Sequence, residues 1–327
     1  MEESAVEKKS GVKDAIVCLL LSTLMYKLSL STFLFAAPLM LYKVKHNRNK
    51  AALLLGLEAL IVLALELLTN WRSFDSNISV AVFVIGLIMP MSLLVAGAIW
   101  LYAEKHRLEA RIFLSLIPIF AVTAVSLVWF AVDRTLFNNI YDYYENAFAG
   151  NLGELLGKLF TDIDSNVLFS ALSSAILSLV FPGFTLAVCA TSFIYETGLH
   201  SREDGWEERV QSFEFPADFV WFFIASLALL LLSYFISAVP LWLMVLIMNT
   251  TGLFTVLYAI QGFTVVYSFF RKRMKNLKSM TLFIILFIIA LVVPGINFIV
   301  VFGLPLLGLL ESFFDLKKLG VKNEDYS

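Results

Sequence analysis

Apolar runs, most of them near the length of a bilayer crossing, alternate with short charged stretches along this chain. Residues 1–13 are a polar tail, and 15–42 is apolar apart from Tyr26-Lys27 and the stretch 29–32. That first run is either one long tilted helix or two shorter ones meeting near 29–32. Clean runs follow at 51–68, 79–101 and 112–132. The run 166–194 contains Pro182-Gly183, and 219–238 is separated from 241–270 only by Val239-Pro240. The last run, 280–310, is broken by Pro294-Gly295 and Gly303-Leu304-Pro305 and is long enough to be a hairpin. One helical crossing takes about 20 apolar residues, and lipid tolerates only helices or closed barrels. The pattern predicts an all-α, polytopic transmembrane helical bundle of roughly eight to ten spans. Its parts are an N-terminal bundle (14–132), an extracytoplasmic amphipathic segment (133–165), a C-terminal bundle (166–317) and a polar tail (318–327).

The segment 133–165 has a different pattern. Leu136, Phe137, Ile140, Tyr141, Tyr144 and Phe148 recur at helical spacing, as do Leu152, Leu155, Leu156, Leu159 and Phe160 after Gly150. Asp142, Glu145, Glu154, Lys158 and Asp162 occupy the other faces. This spacing predicts an interfacial pair of amphipathic helices, either packing on the bundle or lying over an outward-facing cavity.

Loop charge gives the orientation. Loops 43–50, 102–111, 195–218 and 271–279 together hold 14 Lys and Arg, against three in the alternate loops 69–78, 133–165 and 239–240. The positive-inside rule puts the first set in the cytoplasm. Lys8, Lys9 and Lys13 prefer the same side, which favours the hairpin reading of 15–42.

Composition agrees with the pattern. Hydrophobic residues make up 60% and charged residues 15% of the 327, with mean hydropathy +0.85. Soluble domains carry about 25% charged residues, so the solvent here is lipid. Net charge is −2, which offers no basic field for nucleic acid. Cys18 and Cys189 lie inside apolar runs and read as small buried hydrophobes rather than a disulfide framework. Lys8, Lys9 and Lys13 before the apolar 15–24 resemble a signal peptide, but no A-x-A cleavage site follows, so the segment reads as a retained span.

Ionisable and amide side chains inside the runs are the candidate ligand-binding residues, because burying them in lipid is costly. Glu58 lies eight residues into 51–68, about 12 Å deep at 1.5 Å per residue. Glu66 is near the far end of the same run. Lys27 approaches Glu66 if 15–42 is a hairpin, and Glu58 if it is one helix. The run 241–270 adds Asn249, Thr250, Thr251, Tyr258, Gln261 and Ser268, with Gly252 and Gly262 allowing close backbone approach. Each of these is equally suited to hydrogen bonding across helices. Pro294-Gly295-Ile296-Asn297 marks either an ordinary kink or a broken helix of the kind that lines binding sites.

Enzyme signatures are missing. The stretch from Gly153 to Leu159 is one residue short of a phosphate loop and has Leu159 where Ser or Thr must bind Mg²⁺. His46, His106 and His200 lack zinc-ligand spacing, and neither H-E-x-x-H nor G-x-S-x-G occurs. No catalytic residue, metal or cofactor is expected.

Several short motifs carry a family likeness. Phe213-Glu214-Phe215-Pro216-Ala217-Asp218-Phe219-Val220-Trp221 enters a span, and Asn249 lies in the next. Ile260-Gln261-Gly262 precedes Arg271-Lys272-Arg273, and the chain closes on Gly308-Leu309-Leu310-Glu311-Ser312-Phe313-Phe314-Asp315. With Pro38-Leu39 entering a basic turn, this order resembles the DUF2232 (YybS-like) family of bacterial membrane proteins across most of the chain. That family is in turn similar in architecture to the substrate-binding S components of energy-coupling-factor vitamin transporters. The resemblance implies a bacterial cytoplasmic (inner) membrane location and a small-molecule ligand. It also departs from the pattern, since S components carry Ala-x-x-x-Ala on the first helix for docking to the energising partner. Here the first helix reads Ala15-Ile16-Val17-Cys18-Leu19.

Two functions are therefore expected. One is a multi-pass small-molecule-binding or transport component without its own ATPase, in which Glu58, Asn249 and Gln261 contact the ligand. Its partners would be membrane lipids and transporter energising subunits or further copies of itself, with no nucleic acid. The alternative is a non-catalytic membrane scaffold or regulator that binds partners through loops 195–218 and 271–279.

Overall fold

The computed structural model describes residues 2–28, 32–70, 77–148, 165–200, 213–236, 239–273, 289 and 293–319. Every regular element among them is helical. In chain order these are α1 (Glu2–Lys27), a 3₁₀ turn (Thr32–Leu34), α2 (Ala37–Leu41), a second 3₁₀ turn (Tyr42–Val44), α3 (Arg48–Asn70), α4 (Asn77–Tyr102), α5 (Leu108–Val132) and α6 (Arg134–Phe148). They continue as α7 (Ser165–Ser178), α8 (Val180–His200), α9 (Phe219–Phe235), α10 (Leu241–Arg273), α11 (Ile296–Phe314) and α12 (Leu316–Leu319).

The fold is a polytopic transmembrane helical bundle. Five described helices are long and apolar enough to cross a membrane: α3, α4, and stretches of α5, α10 and α11. The bent pair α7–α8 makes a sixth if it is one span. Helix α9 and the stretch Thr32–Val44 are apolar but shorter. Much of the predicted run 280–310 lies outside the described residues. The burial pattern is that of a protein in lipid. On α3, Leu53, Leu60 and Leu68 are 68, 62 and 76% exposed, while Glu58 on the same helix is wholly buried.

The chain forms two compact units. The first comprises residues 1–177 and 186–199, and the second 178–185 and 200–327. In the first unit, the apolar run 15–42 folds as a hairpin. Tyr42 donates its hydroxyl to the Gly11 carbonyl (3.1 Å), and Asp14 faces His46 (3.4 Å) and Lys45 (3.8 Å). Nearer the tip, Ser22 donates to the Phe35 carbonyl (2.8 Å). The return arm is short and broken because Pro38 has no N–H to continue a preceding turn and suits a helix start. Phe35, Ala36, Ala37, Leu39 and Met40 are all buried, so this arm is core rather than surface.

Loops 43–50 and 102–111 meet the end of α8 in this unit. Lys43 pairs with Glu104, Tyr195 donates to Glu104 (2.9 Å), and the Arg48 guanidinium lies over the Tyr102 ring (4.8 Å). Three regions that the charge count assigned to one side therefore share one end of the unit, together with the start of α1. Burial pushes the Lys43 ammonium below the usual lysine range.

Helix α6 confirms the first half of the predicted amphipathic pair. Leu136 and Ile140 bury against Ala81 of α4, beside Ile78 and Ile85. Asp133 receives the Leu136 N–H (2.9 Å), which caps the helix start. Phe137, Tyr141 and Tyr144 stay exposed, as expected of aromatic rings at a membrane interface. The second half, residues 150–160, lies outside the described residues.

In the second unit, α10 and α11 approach at backbone distance. A Cβ at Gly262 would run into the Leu304 carbonyl, and one at Gly308 into the Tyr258 carbonyl. Helices in lipid gain contact this way where only small residues intervene. Helix α11 begins after Pro294 and Gly295. Gly295 has φ 88°, a conformation only glycine adopts freely. Asn297 Oδ1 accepts the N–H groups of Gly295 (3.1 Å) and Phe298 (2.7 Å), so this predicted break is a helix start.

Candidate functional site

Each polar side chain singled out from the sequence now has definite surroundings. Lys27 and Glu66 form an ion pair (3.0 Å) at the tip of the N-terminal hairpin, where Glu66 also accepts from Tyr26 (2.9 Å) and Asn70 (3.3 Å). The pair is part-exposed and fixes α1 against α3. Asn249 Oδ1 accepts the Phe181 N–H (2.9 Å), and its amide donates to Val245 (2.9 Å). The N–H it satisfies lies just past the 43° bend between α7 and α8, where the helical ladder is interrupted and Pro182 follows. A Cβ at Gly252 would meet that same Pro182 ring. Gln261 receives the Phe215 N–H (3.0 Å) and donates to Ser312 (3.2 Å). The hydrogen-bonding capacity of Asn249 and Gln261 is therefore largely used in holding backbone together.

Two candidates remain. The first is Tyr258 in the second unit. Its ring is fully buried, edge-on to Phe215 (5.4 Å) and stacked near Phe223 (5.1 Å). Phe254, one turn earlier on α10, packs against Phe219 and Phe223. The Tyr258 hydroxyl has no hydrogen-bond partner among the described residues, and neither does the Thr251 hydroxyl two turns before it on α10. A buried hydroxyl without a partner costs about 1–3 kcal/mol, so two on one helix mark a place where a polar partner belongs.

The second is Glu58 in the first unit. It is wholly buried and accepts from the Thr23 hydroxyl, at 3.1 and 3.3 Å to its two oxygens, with the Ser22 hydroxyl also in hydrogen-bonding reach. Among the described residues no cation faces it. Ser22, beside Thr23, serves the Phe35 carbonyl, and Thr191 of α8 serves the Phe33 carbonyl (3.2 Å). The broken return arm thus gathers hydroxyls around its open carbonyls, next to a carboxyl group. Ser22, Thr23 and Thr191 are not among the residues that the apolar pattern marks. Their signal was hydroxyl residues within apolar helices.

Sequence reasoning also missed two clusters. Arg111 binds Glu196 at 2.7 Å, Trp100 donates its indole N–H to the same carboxylate (3.0 Å), and the guanidinium stacks on the Trp100 ring (4.2 Å). Glu214, Glu311 and Asp315 come within 4.8 Å of one another through one oxygen each. Glu311 accepts the Lys317 N–H (3.2 Å), and the Lys317 ammonium reaches the Phe213 carbonyl (2.6 Å). The motifs around Phe213, Gln261 and Glu311 that carried the family likeness therefore converge in space. No family model matches this chain, and no curated protein or solved structure does either.

Proposed function

We propose that this chain is a small-molecule-binding or transport component of the bacterial cytoplasmic membrane, in the manner of an S component that relies on separate energising subunits. The observation that carries the reading is the buried Tyr258 hydroxyl, unpartnered among the described residues, under an aromatic wall of Phe215 and Phe223. Such a site suits a largely apolar or aromatic ligand with one hydrogen-bonding group, since ligand pockets pair apolar lining with few polar contacts. The convergence of the motif segments supports the same reading, because it makes the stretches that resemble the family one structural neighbourhood. Asn249 and Gln261 act here as supports for the site rather than as ligand contacts.

The test is native mass spectrometry of the protein extracted gently from its own membrane. A stoichiometric small molecule is expected on the wild type and lost or depleted in Tyr258→Phe. Removing one hydrogen bond costs about 1 kcal/mol, a weakening of roughly fivefold. A bare wild-type protein, or one carrying only other proteins or bulk lipid, overturns the reading in favour of a scaffold.

A further inference from the structure

Three carboxyl groups in the first unit have different kinds of partner. Glu66 is held by the Lys27 ammonium, the Tyr26 hydroxyl and the Asn70 amide. Glu196 is held by the Arg111 guanidinium and the Trp100 indole. In each case a fixed cation favours the carboxylate, and N–H groups, which only donate, offer nothing to the O–H of a protonated acid. Glu58 has no such cation among the described residues and is held by hydroxyls, that of Thr23 and, beside it, that of Ser22. A hydroxyl both donates and accepts and turns freely about its C–O bond. It donates to the carboxylate, and after a small rotation it accepts from the acid. The surroundings of Glu58 therefore accommodate both protonation states.

Among the described residues, no neighbouring charge forces one state. On α1 the facing groups are Ser22 and Thr23, with Cys18 one turn away. Tyr26 and Lys27 are engaged at Glu66. The return arm from Thr32 to Leu41 has no titratable side chain, Tyr42 and Lys43 of the following turn are engaged at Gly11 and Glu104, and α4 has none before Tyr102. On α3 itself, Arg48, Lys50 and Glu66 lie about 12–15 Å along the axis from Glu58. Helix α4 meets α3 where Gly97 packs on Leu55. Five residues before Gly97 is Ser92, buried and with its hydroxyl unpartnered among the described residues. An unpaired carboxylate inside a span costs several kcal/mol, while a neutral acid bonded to a hydroxyl costs far less.

We propose that Glu58 is a reversible proton-binding site within the membrane. Its carboxylate takes one proton from water to form the neutral acid, whose O–H then bonds to Thr23, and it returns that proton to water on reversal. The proposal adds a proton as a second ligand and rests on the transport reading only for its use. The proton is detected without any transported substrate, so an empty Tyr258 site leaves this test intact.

The experiment is pH-difference infrared spectroscopy on the full chain in lipid vesicles. A protonated-carboxyl C=O band that appears and disappears over a one-proton titration is expected. It should be absent in Glu58→Gln and retained in Glu66→Gln. Thr23→Val should displace its midpoint, and Thr23→Ser should keep it. If Glu58→Gln does not fold, the two Thr23 variants make the assignment alone. A band constant at every pH where the protein is folded, no such band, or one unmoved by both Glu58 and Thr23 changes each overturns the proposal.

Discussion

Arg111 and Glu196 meet at 2.7 Å between the first turn of α5 and the C-terminal half of α8, and both side chains are about nine-tenths buried. The pair is completed by the Trp100 indole on the carboxylate and by the Trp100 carbonyl, which accepts from the guanidinium at 3.3 Å. Removing one member leaves the other charged, buried and unpaired. Such losses cost about 3–5 kcal/mol. Arg111→Ala or Glu196→Ala should therefore lower thermal stability sharply, as read by fluorescence-detected unfolding in detergent. Arg111→Lys should rescue little, because an ammonium cannot bind the carboxylate and lie flat on the indole together. Wild-type stability in either alanine variant would mean that the cluster is not closed in the folded protein.

By the same argument Lys27 and Glu66 matter less. That pair is part-exposed, and ion pairs open to solvent contribute about 0–1 kcal/mol. Lys27→Ala should shift the melting temperature only slightly and should leave ligand retention unchanged. A loss of ligand would return Lys27 to the binding residues.

The contrast between these pairs shows what a linear reading reaches. Lys27 and Glu66 were foreseeable because a run too long for one helix, broken by polar residues at 29–32, brings its tip to the end of the next helix. Glu58 was foreseeable because a charge is rare in an apolar run. Arg111 was not, because it sits at a loop boundary and counted there as a cytoplasmic cation. Its partners come from elsewhere, and Trp100 and Glu196 are 96 residues apart. Asn249 and Gln261 stand out in the sequence as amides inside an apolar run, and both are buried. Their backbone partners, Phe181 and Phe215, depend on a helix bend and an extended entry segment that side-chain pattern does not encode.

The meeting of α10 and α11 gives a packing prediction. At both Gly262 and Gly308 an added methyl would strike a backbone carbonyl of the other helix, and a carbonyl in a helix cannot swing away. Overpacking of this kind costs about 1–3 kcal/mol or more. Gly262→Ala and Gly308→Ala should each destabilise, and the double variant should cost less than the sum, because the first substitution already separates the helices. Gly56→Ala and Gly86→Ala, where an added methyl meets nothing within 4 Å, are the controls and should be neutral or slightly stabilising.

Asn249→Ala should destabilise by about 1–3 kcal/mol, since it removes the acceptor of the part-buried Phe181 N–H at the bend. Tyr258→Phe makes the opposite prediction. If nothing occupies the site, losing an unpartnered hydroxyl stabilises the protein, whereas with a ligand present the variant loses both ligand and stability. Measuring the two melts side by side, before and after extensive delipidation, separates a supporting residue from a contacting one.

The orientation can be tested at two exposed positions. Arg107 lies in the loop that joins Lys43, Arg48 and the end of α8 at the basic end of the first unit, while Arg134 opens α6. Positive charge is retained on the cytoplasmic side, so Arg107 should face the cytoplasm and Arg134 the outside. In a background with Cys18 and Cys189 replaced by alanine, a membrane-impermeant maleimide should label Arg134→Cys in intact cells. Arg107→Cys should react only after permeabilisation. The reverse result would invert the protein and place α6 in the cytoplasm. Labelling of both positions from one side would contradict an odd number of crossings between loop 102–111 and α6, and with it α5 as a membrane span.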